Sequence, residues 1–463
     1  MKKIAFTLLI AMFLNIANAF AQGGTTGPLT WYFNSATNTL TIKGEGAMPD
    51  YERGEAPWYN YQNSIHTVVI ENGVTSIGNH AFYYCYMTSI TIPNSVITIG
   101  ERSFSSCHFL ESITLLNSIT TIGEEAFRWC SRLKSITIPS RVTTIEKETF
   151  SDCYNLTSIT LPNNLITIEE KSFHFCMNLT SVTIPNNVTT IGEEAFVYCL
   201  NLTSVILSNS LTAIGHGAFF DCRNLTSITI PDGVTTIESS VFSYCTELAS
   251  VTLPNGIKSI ENRAFCECAS LSSITIPDRV KSIGEKAFYK CTDLTSVTLP
   301  SNLTTIGDDA FFACTNLTLI TNFNPVPIDV YPIVFYGVDK SACTLEVPIN
   351  SVAAYKSANV WKEFNIVGIE VGIVETQGIA SLRIFPNPTN GELKIENGEL
   401  TIEKIEIFDV MGKCVATVET GRAPSLQTIP APTTLTISHL PSGVYFIQIK
   451  TDKGLITKKI IKQ

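Results

Sequence analysis

The side chains most able to do chemistry recur as eleven Phe-x-x-Cys motifs, from Phe82/Cys85, Phe104/Cys107 and Phe127/Cys130 to Phe288/Cys291 and Phe311/Cys314. Their step is 23 residues throughout, after a first step of 22. A thiol can ligate metal, act as a nucleophile or form a disulfide, and each use sets its own spacing. Zinc sites take Cys or His in pairs at short spacing. Here, apart from Cys266 and Cys268, the thiols stand singly and no His accompanies them in register. Disulfides between successive motifs need Cα atoms within about 7 Å, whereas helical segments stacked side by side lie about 8–10 Å apart. The ladder thiols are therefore expected to be small buried hydrophobes. For Cys266, Cys343 and Cys414, which lie off the ladder, disulfide pairing stays open.

Other reactive groups form no constellation. His66, His80, His108, His174, His216 and His439 share no register with a carboxylate and a Ser or Cys nucleophile, so no triad is legible. Glu124-Glu125, Glu193-Glu194 and Asp308-Asp309 offer the two carboxylates of a glycosidase. Yet they recur at the start of a presumed helical segment, where negative charge favours the positive helix end. Gly78, Gly100, Gly123, Gly192, Gly215, Gly284 and Gly307 share a slot held elsewhere by Glu146, Glu169, Glu238 and Glu261. That slot does not demand positive φ, and no phosphate cradle is implied. No catalytic, metal or cofactor site is expected, and the chain reads as a non-enzyme.

What remains is a surface. Ser135, Ser158, Ser181, Ser227 and Ser250 each stand two residues before Thr137, Thr160, Thr183, Thr229 and Thr252, while Ile206 breaks the Thr row. Each pair flanks an inward Ile or Val, so strand alternation turns both hydroxyls to an outer, concave face. Ser and Thr donate and accept hydrogen bonds, which suits glycan hydroxyls or extended peptide. Equally, Thr favours strands, and stacked hydroxyls satisfy one another. Both readings fit these rows. The Asn-x-Thr sequons, such as Asn155-Leu-Thr157, follow from the repeat itself.

The elements that hold these rows follow from the period. In Leu156-Thr-Ser-Ile159-Thr-Leu161-Pro162 polar and apolar residues alternate, the pattern of a short strand with one buried face. Pro162 ends it by removing a ladder donor. Leu165, Ile168, Phe173 and Cys176 then suggest a turn and a short helical or 3₁₀ segment. One unit cannot bury both pieces, but stacked units bury them against their own equivalents, one strand per coil at about 4.8 Å. A period of this length marks a solenoid. The composition agrees, with 44% apolar and 16% charged residues. A net charge of −10 disfavours nucleic acid and anionic lipid as partners.

The pattern Leu-x-x-Ile-x-Ile-Pro-x-x-Val-x-x-Ile-Gly-x-x-Ala-Phe-x-x-Cys resembles the leucine-rich repeat of BspA-like bacterial surface proteins. The resemblance implies a leucine-rich-repeat solenoid over 74–321, with short parallel β-strands on the concave face and turns and short helical segments on the convex side. Trp31, Leu40 to Pro49 and Pro57-Trp58 resemble an N-terminal cap over 22–73, and Leu345 to Pro348 with Trp361 to Phe364 a C-terminal cap over 322–372. Relatives of this kind attach to host extracellular-matrix proteins and to other bacteria. Adhesion or protein binding is thus the expected role, with surface glycan binding for nutrient capture as the alternative.

Both ends read as addresses. Met1-Lys2-Lys3, the apolar run from Ile4 to Phe13 and the small-x-small Ala19-Phe20-Ala21 form a signal peptide, 1–21, cut between Ala21 and Gln22. Asn15 and Asn18 interrupt the run, so no transmembrane helix is expected. After a linker at 373–379 the period is gone. Pro386, Asn387, Pro388 and Gly391, then Ile407 to Gly412, Gly443 and Tyr445, and a final strand containing Lys459 follow in order. Alternation between turns predicts a C-terminal antiparallel β-sandwich over 380–463. These motifs resemble the type A sorting domain of the type IX secretion system. That resemblance implies the type IX secretion machinery as a partner, passage across the outer membrane, and display at the cell surface with removal of the tail.

Overall fold

The computed structural model describes residues 21–369 and, further on, 383–385, 392–396, 402–409, 414–419, 433–441, 443–451 and 454–462. They fall into two compact units that divide between Ile369 and Glu370. Residues 1–20, the body of the expected signal peptide, and the linker 373–379 lie outside the described residues.

In the first unit most repeats make one coil with two short strands. One is a Ser-Ile-Thr segment such as Ser158–Thr160, the other a two-residue strand such as Thr167–Ile168. Both pair in parallel with the same residues one coil away. Ser135, Ile136 and Thr137 face Ser158, Ile159 and Thr160, and Thr144 and Ile145 face Thr167 and Ile168. Burial fixes this register, because a slip of one residue would carry the inward Ile to the outside.

Between the second strand and the cysteine the sequence leads one to expect a short helical segment. The repeats have turns there instead, and the turns form a third ladder. Glu125, Phe127 and Trp129 donate to Lys147, Thr149 and Ser151 of the next coil at 3.0, 2.9 and 2.9 Å. Ala126, Arg128 and Cys130, alternating with them, donate three residues back to Gly123, Glu125 and Phe127. A helix would spend all its interior amides within itself. The alternating turns satisfy the same amides and also tie coil to coil. This path needs two left-handed residues per coil, Glu125 (φ 51) and Trp129 (φ 61) in this one. Short helical segments occur in the flanks: an α-helix at Val352–Ser357 and 3₁₀ turns at Tyr59–Tyr61, Pro332–Phe335, Ile349–Ser351 and Trp361–Glu363.

The interior is a column of phenylalanines. From Phe82 to Phe335 successive rings lie 5.1–5.7 Å apart with planes within 13°. Tryptophans close it at both ends. Trp58 stacks on Phe82 at 5.7 Å and its Nε1 donates to the Ala81 carbonyl at 2.7 Å. Trp361 meets Phe335 edge-on at 5.4 Å and donates to Ile328 at 2.7 Å. Each indole covers the last ring while its one polar atom is satisfied.

The first-ladder sheet is extended beyond the repeats at both ends. Ala21–Thr26, Leu29–Asn34 and Thr39–Gly44 pair antiparallel, and the last of them runs parallel to Thr67–Ile70. At the far end Thr344–Pro348 and Asn365–Ile369 add two parallel strands beyond Leu319–Asn322. The second unit holds two antiparallel sheets, one of Arg383–Phe385, Glu392–Glu396 and Thr433–Thr436, the other of Ile402–Asp409, Cys414–Glu419, Gly443–Thr451 and Gly454–Lys462. Leu393, Ile395, Leu435, Ile405, Ile407 and Ile447 bury their side chains in one shared core, which is the expected sandwich. Among the described residues no helix is long and apolar enough to cross a membrane.

Candidate binding surface

The strand ladder brings the two hydroxyl rows together. Ser135, Thr137, Ser158, Thr160, Ser181, Thr183, Ser227, Thr229, Ser250 and Thr252 are all exposed. Ser227 faces Ser250 and Thr229 faces Thr252, while Thr183 faces Ile206, which is 60% exposed. None of the ten hydroxyls is hydrogen-bonded within the protein, so mutual satisfaction is not what holds them. At about one strand spacing their side chains run side by side rather than head to head.

The hydroxyls that the fold does consume stand one residue earlier. Thr157, Thr180 and Thr203 donate to the carbonyls of Lys134, Thr157 and Thr180 in the preceding coil at 3.0, 3.3 and 3.0 Å. Asn178, Asn201 and Asn224 donate to the side-chain oxygens of Asn155, Asn178 and Asn201 at 3.3, 2.9 and 3.3 Å. The four Asn-Leu-Thr sequons of these coils are thus a double spine of side-chain bonds along one edge of the strand face.

The cysteines take a structural place. All fourteen are free. Thiol Sγ atoms of Cys130, Cys153 and Cys176 donate to the carbonyls of Phe104, Phe127 and Phe150 at 3.3, 3.2 and 3.2 Å, and the pattern continues to Cys314. Each ladder thiol is thus spent on a carbonyl of the preceding coil, and the 8–10 Å helical separation does not apply where the repeats have turns. Burial pushes the Cys85 thiol up to about 12 and raises those of Cys107, Cys130 and Cys176 well above the usual thiol range, so they are poor nucleophiles. Of the off-ladder three, Cys266 and Cys343 are buried and Cys414 is exposed.

The acidic pairs also differ from expectation. There is no helix for them to cap. Their second members sit at left-handed positions and pair with a cation one coil earlier: Glu125 with Arg102, Glu194 with Lys171 at 3.5 Å, Asp309 with Lys286 at 3.3 Å. Burial pushes the Glu125 carboxyl up, but the guanidiniums of Arg102 and Arg128 outweigh it and hold it below the usual range. Carboxylates neutralised in this way are structural. Among the described residues no group of three or more His, Cys, Asp or Glu is placed to hold a metal ion.

One surface feature escaped the sequence reading. Aromatic side chains line the turn face: Tyr84, His108, Trp129 and Tyr154 touch in series at 5.5, 6.4 and 5.5 Å. Phe175, Tyr198, Phe220 and Tyr244 form a second run at 4.5, 5.9 and 5.3 Å. Their signal is present in the repeat, as aromatic residues in the slots around the cysteine, but it is hidden by the stronger Phe period. Of the sorting motifs, Tyr445 is buried and its hydroxyl donates to Pro441 at 2.9 Å. Gly443 opens one strand opposite Lys462, and Lys459 faces Phe446. Pro386, Asn387, Pro388 and Gly391 lie outside the described residues. Ala21 and Gln22 begin the first strand, opposite Asn34 and Phe33.

Comparison with known proteins agrees with this architecture. Residues 57–176, 122–248 and 212–338 match the BspA type leucine rich repeat region, and 383–463 match the secretion system C-terminal sorting domain. No curated protein matches the chain. A leucine rich cell surface protein from Faecalibacterium prausnitzii A2-165 is 30% identical over 65% of this chain and 94% of its own, with a TM-score of 0.41. A leucine-rich repeat protein from Bacteroides ovatus ATCC 8483 is 28% identical over 64% and 94%, with a TM-score of 0.43. None of these matches indicates a catalytic family, and the sorting domain indicates type IX export to the cell surface. The chain belongs to the bacterial surface proteins built on BspA-type leucine-rich repeats and carries a type IX C-terminal sorting domain.

Proposed function

We propose that this is a non-enzymatic adhesion protein that binds other proteins, on host extracellular matrix or on other bacteria, through its strand face. The observation that carries the reading is the ten exposed hydroxyls, aligned in two rows and unused by the fold. Each contact is weak, and affinity comes from many coils engaging one extended ligand. The signal segment is removed between Ala21 and Gln22, the flanks 22–73 and 322–372 cap the coil stack, and the tail motifs engage the type IX secretion machinery.

The test uses the mature chain on immobilised matrix proteins and on a glycan array. Adhesion requires saturable binding to a protein, reduced at least tenfold by Thr160→Lys with Thr183→Lys, since two ammonium groups would disrupt a neutral hydroxyl surface. Saturable binding to sugars alone, lost in the same variant, would assign the face to glycan capture instead.

A further inference from the structure

We propose that the secretion machinery reads the folded tail on the outer face of its four-stranded sheet, through a cross-strand row of Phe408, Phe446 and Lys459. The inference rests on the tail being the export address and names the surface that carries it.

The first observation is register. Ile402–Asp409, Gly443–Thr451 and Gly454–Lys462 are neighbouring strands that hold sorting motifs far apart in the chain. Phe408 stands directly opposite Phe446, and Phe446 directly opposite Lys459. One residue from or beside each of three motifs therefore meets in a single cross-strand row. Ile407, Tyr445 and Ile447, the chain neighbours of the two rings, are buried in the shared core. Strand alternation turns Phe408 and Phe446 the other way. There Phe446 is 38% exposed and Phe408 half-buried.

The second observation is that this face breaks the sandwich pattern. Outward positions of a sandwich strand are ordinarily polar. In the other sheet, the strands Glu392–Glu396 and Thr433–Thr436 keep to it. Leu393, Ile395 and Leu435 are buried there, and Glu392, Lys394, Glu396, Thr434 and Thr436 alternate with them. Gly443–Thr451 keeps to it at one end only. Ile447-Gln448-Ile449-Lys450 alternates, but Val444-Tyr445-Phe446-Ile447 is an unbroken apolar run. Ile405-Glu406-Ile407-Phe408 departs at the matching end, since Glu406 pairs with Gln448 and Phe408 with Phe446. The core does not ask for two outward rings, and apolar residues gathered outside a core mark a contact surface.

The partner that fits is a protein surface, apolar at its centre with carboxylates at its border. Protein interfaces favour aromatic rings at their core. The final strand, Gly454–Lys462, holds Lys458, Lys459 and Lys462 and no Asp or Glu, so an acidic rim would complement that end of the row. A lipid surface fits less well. Arg383 to Lys462 contains ten Lys and Arg against eight Asp and Glu, which is not the basic excess that anionic lipid selects. A second tail pairing edge to edge would use strand edges, whereas this row runs across the face of the sheet.

Export of the full chain in a bacterium with an active type IX system tests this, read as the cell-surface fraction by protease shaving of whole cells. Phe408→Thr with Phe446→Thr keeps strand-forming residues and should lower that fraction roughly tenfold, with the chain accumulating in the periplasm. Lys459→Glu should do the same, and Lys459→Arg should not. Glu406→Gln with Gln448→Ala, one row along the same face, should be displayed like the parent. Limited proteolysis of each purified chain checks that the tail stays folded, and if the double Thr variant is unfolded, Lys459→Glu decides alone. Normal display of Lys459→Glu, or of a folded double Thr variant, overturns the row, as does an equal loss in the Glu406 and Gln448 variant. Flotation of the parent with phosphatidylethanolamine and phosphatidylglycerol vesicles, abolished by Lys459→Glu, would overturn it in favour of lipid. If the chain lacking 380–463 still reaches the surface, the export reading fails and the row with it; if that chain is trapped while the folded double Thr variant is displayed, only the row fails.

Discussion

Phe127 and Phe150 are 23 residues apart in the chain, and their rings lie 5.5 Å apart with planes 1° from parallel. The same relation repeats through the stack, so each ring is packed by its two equivalents. Removing one ring leaves a gap that two rigid neighbours cannot fill. Phe173→Ala is therefore expected to cost about 3–5 kcal/mol in urea unfolding. A loss below about 1 kcal/mol would show that Phe173 does not carry the column.

Gly78 and Gly123 occupy one slot of the repeat but meet different surroundings. A methyl group on Gly78 would lie 1.8 Å from the Pro49 carbonyl of the N-terminal flank, and on Gly123 2.7 Å from the Glu101 nitrogen. Coils that carry Glu146 or Glu169 in this slot show that the second clash can relax. Gly78→Ala should lower stability by more than about 2 kcal/mol and Gly123→Ala by less than about 1 kcal/mol. Equal losses in thermal or urea melts would contradict the difference.

The buried thiols make the stack sensitive to alkali. Unfolded cysteine loses its proton near pH 8.5, while burial holds Cys85 at about 12 and Cys107, Cys130 and Cys176 well above the usual thiol range. Above about pH 8.5 the unfolded chain binds fewer protons than the folded one, so stability falls as pH rises. Each thiol contributes up to about 1.4 kcal/mol per pH unit in that window. Urea midpoints should drop steeply between about pH 8.5 and 10, with thiolate absorbance appearing together with unfolding. Thiolate absorbance in the folded protein would overturn the burial.

Native thiols should differ in reactivity. Cys414 is exposed, and the ladder cysteines are buried with raised thiols. Iodoacetamide followed by mass spectrometry should label Cys414 first and the ladder only in denaturant. Early labelling of Cys176 or Cys199 would contradict the packing.

Deleting 380–463 should strand the remaining chain in the periplasm with its melting transition retained, because the two units have separate cores. Recovery of the truncated form at the cell surface would refute the role of the tail.

The sequence by itself determined the solenoid, its two strand-face rows, the phenylalanine column and the sorting tail. Each of these rests on side chains recurring at one step, and stacking turns a step into a contact. Composition and spacing could not decide the backbone path between Ile145 and Cys153. Apolar gaps of three and five fit a helical turn as well as alternating turns, and the choice lies in hydrogen bonds made to the next coil. The same holds for Glu125, whose partner Arg102 becomes a neighbour only when coils stack, and for Gly78, whose constraint comes from Pro49. The aromatic stripe was hidden for a related reason. Five of its rings share the slot before the ladder cysteine, but other coils leave that slot without a ring, and Tyr154 and Phe220 stand beside it. The register is thus broken in the chain, and only coil stacking brings Trp129 beside Tyr154 and Phe175 beside Tyr198.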